Sequence, residues 1–111
     1  MPALSAYGVL LVAAILEAAG DAMVRLGLRD HQGLSRLALF AAGAGVLFGY
    51  GLTVNAPGWD FGRLLGVYVT LFFVVAQAVN SFAFGVRPDL SIWVGGAFIV
   101  TGGLVMTFWR F

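Results

Sequence analysis

"YGVLLVAAILEAAGDAMVRLGL", Tyr7 to Leu28, is apolar enough to enter a lipid bilayer, yet it carries Glu17, Asp21 and Arg25, each four residues after the last. A bilayer-spanning helix needs about 20 predominantly apolar residues, and this run supplies them. The rest of the 111-residue chain has the same character: 61% of its residues are hydrophobic, 10% are charged and the mean hydropathy is +0.99. That balance lies far outside the range of soluble domains. The predicted fold class is an all-α membrane protein with four transmembrane helices in a single domain over residues 1–111. The helices are expected at about 4–28, 34–54, 61–86 and 90–111, read from apolar runs and their breaks.

The breaks are "RDHQG" at Arg29 to Gly33, "NAPG" at Asn55 to Gly58 and "RPD" at Arg87 to Asp89. Pro and Gly end helices at such points. Connections this short predict that consecutive helices are antiparallel neighbours in a compact unit. "MPALSAYGVLL" has no Lys or Arg before its apolar run, and the run outlasts a signal-peptide core, so the first helix is expected to be retained. All six basic residues are Arg and they are scattered. With a net charge of +1, no nucleic-acid partner is expected. Cysteine is absent, which removes disulfides and thiolate chemistry. His31 stands in a loop with no triad or metal partner in view, so neither enzyme activity, nor a metal, nor a cofactor is expected.

Charge sets a weak orientation. One end holds Arg25, Arg29, Arg36 and Arg87, and the other holds Arg63 and Arg110. The positive-inside rule then turns both termini away from the cytoplasm, with a bias small enough to allow insertion both ways.

Small residues mark expected close approaches, because helices in lipid associate by tight packing and hydrogen bonds rather than by apolar burial. Helix 2 offers Ala41, Gly45 and Gly49. Helix 3 offers Gly62, Gly66 and Thr70, continued by Phe73, Gln77, Asn80 and Ser81. Helix 4 carries the doublets Gly95-Gly96 and Gly102-Gly103, seven residues apart and so on one face.

A step of four residues advances only about 40° around a helix, so Glu17, Asp21 and Arg25 form one stripe about 12 Å long. Such groups face the bundle interior or a watery cavity. Asp21 and Arg25 stand i and i+4 with the acid first, the favourable order for an ion pair, and the pair is expected to be structural. Glu17, near mid-span and flanked by Ala13 and Gly20, has no such partner. A carboxyl in a low-dielectric site holds and releases its proton in the physiological range. Glu17 is therefore the expected proton- or substrate-binding residue, with Asp21, Tyr50, Trp59, Tyr68, Gln77 and Asn80 as candidate companions in a cavity.

These motifs carry a resemblance. "AILEAAGDAMVR" (Ala14 to Arg25) resembles the first-helix pattern of the small multidrug resistance family, within the drug/metabolite transporter superfamily: an acid, a Gly three residues on, then a basic residue. "GLSRL" (Gly33 to Leu37) resembles that family's entry to helix 2, and "FGVRPDLSIWVGGAFIVTGGLVM" (Phe84 to Met106) its last loop and fourth helix. Where the family's drug exporters open helix 3 with "IPxGxAYAxW", this chain has "APGWDFGRLLGVYV" (Ala56 to Val69), and Tyr68 falls near the family's Trp. The fourth helix is also similar to flippase subunits for aminoarabinose-phosphoundecaprenol.

The resemblance implies a proton-coupled exchanger of small cationic or amphipathic molecules in the bacterial cytoplasmic (inner) membrane. It would be built as a homodimer, parallel or antiparallel, with Gly95, Gly96, Gly102 and Gly103 at the dimer contact, and with lipids and protons as its other partners. A flippase subunit for a lipid or lipid-linked sugar, and a non-transporting membrane scaffold, are the alternative readings.

Overall fold

The computed structural model describes residues 3–109 and contains four helices: α1 (Ala3–Arg29), α2 (Gly33–Val54), α3 (Phe61–Ala83) and α4 (Leu90–Phe108). The described residues form an all-α membrane fold. Length and composition make α2, α3 and α4 each able to cross a membrane. Helix α1 is the least apolar of the four. It nevertheless follows α3 from end to end: Tyr7 meets Trp59 just before α3, Glu17 meets Tyr68 midway, and Arg25 meets Phe84 just after it. These pairings also show that α1 and α3 run parallel.

The helix ends have local causes. Helix α3 stops at Ala83, short of the expected Val86, because Gly85 turns into the left-handed region at φ 68° and the Val86 N–H bonds back to the Asn80 carbonyl at 3.1 Å. Gly33, at φ 63°, makes the equivalent tight entry to α2. Asp60 caps α3 by accepting from the Arg63 N–H at 3.0 Å, and Asp89 caps α4 by accepting from the Ile92 N–H at 3.1 Å. Arg36 closes the other end of the first hairpin. Its guanidinium donates to the carbonyls of Gly27 (2.9 Å), Leu28 (2.9 Å) and His31 (3.1 Å), capping the C-terminus of α1. The expected extension of α4 to Phe111 reaches residues 110 and 111, which lie outside the described residues.

The helices stand in a row rather than in a square bundle. Contacts join α2 to α1, α1 to α3 and α3 to α4, and the molecule measures 53 × 35 × 19 Å. Its thinnest dimension is less than two helix diameters of about 10–12 Å each. The expectation that every consecutive pair would be neighbours is thus corrected: α1 stands between α2 and α3 over most of their length. The connection from Asn55 to Asp60 is long enough to step across it.

Close approach holds the row together. A Cβ on Gly43 would lie 3.0 Å from the Gly20 carbonyl and 2.8 Å from Val24, so α1 and α2 meet backbone to backbone there. This replaces the expected Ala41–Gly45–Gly49 seam, since Gly45 and Gly49 face open space. The α3 stripe is a seam as expected, and it serves α4: Gly96 sits under the Phe73 ring, and Gly103 against Thr70, whose hydroxyl donates to the Ile99 carbonyl at 3.3 Å. The Arg63 guanidinium ties the far end by donating to the Met106 carbonyl.

The apolar core is thin, formed by Leu10, Ala13, Ala14, Val54, Leu64, Val67 and Tyr68. Outward surfaces display Leu11, Ile15, Phe48, Leu52, Val74, Phe82 and Phe98. In water such coverage would be an anomaly; against hydrocarbon it is the expected surface.

A carboxylate–phenol pair and a separate polar recess

The centre of the row is occupied by Glu17. The Tyr68 hydroxyl donates to Glu17 Oε1 at 2.6 Å, within the short range of O–H···O⁻ bonds. Tyr68 is almost fully buried, at 3% exposure, although its helix borders lipid. Its ring stacks on Phe72 one turn along α3 (centroids 6.1 Å, 23° between planes) and lies 5.7 Å from the ring of Tyr50 on α2. Two rings and the buried α1 residues Leu10, Ala13 and Ala14 of the same core thus surround the phenol, and the phenol holds one oxygen of the carboxylate. Glu17 is itself half-buried, and its other oxygen makes no hydrogen bond among the described residues. The space beside Gly20 is filled by Leu47 of α2, so the small residue serves helix approach rather than a cavity.

The other candidate residues divide by position. Tyr50 and Tyr68 join Glu17. Trp59 does not: its ring packs edge-on against Tyr7 at 5.5 Å, ten residues and so about 15 Å along α1 from Glu17. Trp59 is thus corrected from a cavity residue to a contact at the end of the row.

Asp21, Gln77 and Asn80 line a different space, a recess of about 440 Å³ between α1 and α3 that also includes Arg25, Phe72 and Phe84. The expected Asp21–Arg25 ion pair is not made, and both residues are exposed. The guanidinium instead lies 5.8 Å from the Phe84 ring centroid, in cation–π range.

The four glycines expected at a dimer contact also separate. Gly96 and Gly103 pack within the chain against α3, a correction, whereas a Cβ on Gly95 or Gly102 would have nothing within 4 Å. Adjacent residues differ by about 100° around a helix, so each doublet necessarily splits between two faces. Phe72 and Phe84 were missed by sequence reasoning. Phe72 could have been found from its i+4 spacing from Tyr68, but Phe84 lies past the helix end, where periodicity gives no signal.

Four helices with an apolar exterior and an acid–phenol pair at mid-depth define a small polytopic α-helical membrane protein. Its relatives are bacterial. The chain is 32% identical over 111 residues to a UPF0060 membrane protein of Kineococcus radiotolerans, covering 96% of this chain and 95% of that one. It is 36% identical over 98 residues to a UPF0060 membrane protein of Mycolicibacterium vanbaalenii (86% and 88% covered), and 31% identical over 112 residues to one of Streptomyces coelicolor (98% and 95% covered). The chain belongs to the UPF0060 family of membrane proteins. No family model and no solved structure matches it.

Proposed function

We propose that the protein is a small transporter of the small-multidrug-resistance type, working as a dimer and exchanging protons for a cationic or amphipathic molecule at Glu17. The observation that carries this reading is the 2.6 Å bond from Tyr68 to Glu17 within a membrane-embedded helix row. Intramembrane acids are functional by default, since an acid without a role there costs several kcal/mol on even the lenient insertion scales. Here one carboxylate oxygen is held and the other is open. A proton and a cation compete for that open oxygen, and this competition couples their movements. Tyr50 and Tyr68 add aromatic faces on which a cation rests.

The shape of the chain supports a dimer. A row 19 Å thick encloses no path by itself, and a second copy would be needed to complete a midplane cavity around Glu17. The test is reconstitution into vesicles with a lipophilic quaternary cation as probe, following proton movement driven by its gradient. Wild-type protein should couple the two, and Glu17→Gln should abolish proton movement. Undiminished coupling in that variant would refute the exchange mechanism.

A further inference from the structure

The recess between the ends of α1 and α3 adjoins the Glu17–Tyr68 pair through Phe72 and Asp21, but neither Glu17 nor Tyr68 lines it. Asp21 and Arg25 both line it, one helical turn apart (a rise of about 6 Å), and Gln77 and Asn80 line it from α3. Opposite charges at i and i+4 ordinarily pair. Here they do not: Arg25 is drawn aside over Phe84, and Asp21 is left exposed. No side-chain hydrogen bond to the Gln77 or Asn80 amide occurs among the described residues. Four polar groups therefore line one recess, with Arg25 held only by the Phe84 ring and the other three making no side-chain hydrogen bond among the described residues.

Depth and charge narrow the occupant. Arg25 is one turn from the end of α1 and Asn80 one turn from the end of α3, which places the recess at headgroup level rather than at the midplane. Its formal charge is zero, with one anion and one cation. A simple cation would leave the guanidinium unmatched, and a simple anion would leave the carboxylate unmatched.

We propose that this recess binds a zwitterion bearing an ammonium and a phosphate. Asp21 receives the ammonium, Arg25 the phosphate through its planar fork, and Gln77 and Asn80 hydrogen-bond the linking atoms. The ammonium group also rests near the Phe72 ring, a further cation–π contact. Such chemistry is presented both by an aminoethyl phospholipid headgroup and by a free phosphoamine.

The test uses the full chain in mild detergent, with bound lipid counted by native mass spectrometry after exposure to equal amounts of phosphatidylethanolamine and phosphatidylglycerol. The two lipids share the phosphate and differ in the ammonium. The expected result is a preference of at least about tenfold for phosphatidylethanolamine, the scale of one charge-assisted contact. Asp21→Asn should bring that preference to within about twofold, and Arg25→Gln should lower retention of both lipids. Glu17→Gln should leave the preference unchanged, which separates this site from the exchange site. Displacement by free O-phosphoethanolamine would assign the site to a soluble zwitterion, and retention of the lipid against it would assign the site to the headgroup. Equal retention of the two lipids by the wild-type chain, or full preference in Asp21→Asn, would overturn the proposal. The wild-type comparison needs no variant, so a misfolded mutant cannot rescue it.

Discussion

Tyr68 is the residue through which the fold acts on Glu17. Burial in the α1–α3 seam and stacking on Phe72 leave the phenol one direction in which to point, and Glu17 Oε1 lies there at 2.6 Å. Tyr68→Phe keeps the ring and its contacts but removes the donor. A hydrogen bond to a charged group contributes about 1.5–3 kcal/mol, so Tyr68→Phe should lower resistance to unfolding by about that much and reduce proton-coupled flux with it. Tyr68→Ala should lose both, because removing a buried aromatic side chain costs about 3–5 kcal/mol. Paired flux and detergent-unfolding measurements on the two variants separate the roles; equal flux from wild type and Tyr68→Phe would remove Tyr68 from the mechanism. Tyr50→Phe should have the smaller effect, since the Tyr50 hydroxyl makes its side-chain contact with Tyr68 rather than with Glu17. At this scale the sequence made Glu17 legible, because an acid in an apolar run is conspicuous. It also made Tyr68 a candidate without revealing the bond, since a link between residues 51 positions apart has no periodicity.

Between helices, the identity of each glycine's neighbour decides what a substitution does. A Cβ at Gly103 would overlap Thr70 of α3, whereas one at Gly102 meets nothing within 4 Å. Gly103→Ala should therefore destabilise the α3–α4 pair by about 1–3 kcal/mol, the usual cost of overpacking, and Gly102→Ala should be close to neutral in the folded chain. Denaturing-detergent titration of the two variants side by side measures the difference, and equal midpoints would mean that the two faces of α4 are not distinguished by packing. Seven-residue spacing predicted one glycine face; the 100° step between neighbours already splits each doublet, and the contacts show that Gly96 and Gly103 are the residues turned to α3. The start of α4 was more legible, because Asp89 before an apolar run is a capping signal in the sequence itself. In the structure its carboxylate accepts first from the Ser91 hydroxyl at 2.6 Å and then from the Ile92 N–H, and these bonds hold it below the ordinary carboxylate range. A carboxyl whose folded value is lowered stabilises the fold above its unfolded value, and that contribution is lost as pH falls through the folded one. Acidification below the ordinary carboxylate range should thus loosen the first turn of α4. Amide exchange of that turn should show the pH dependence in wild type and lack it in Asp89→Asn.

For the whole molecule, composition made the four helices and their membrane setting legible, because both follow from apolar length. The order of the row was not legible. Which helices touch depends on where glycines allow backbones to approach, as at Gly20 and Gly43, and loop length alone does not specify it. The same row leaves α4 at one edge, joined to the rest through α3. Its outer face carries Gly95 and Gly102, open to any partner and seven residues apart on one stripe. Small residues at such spacing let a second helix approach closely. A two-fold dimer uses the same patch on both copies, whether its axis runs along the membrane normal or in the membrane plane, so the contact prediction does not depend on orientation. Gly102→Leu should then convert a dimer to monomer in membranes, read by single-molecule photobleaching of labelled chains, and should reduce proton-coupled flux with it. Gly45→Leu, equally open but on α2, should leave both unchanged and serves as the control for added bulk at a lipid-facing glycine. A dimer fraction in Gly102→Leu equal to that of wild type would place the contact between copies on another face and return the α4 stripe to a lipid-facing role.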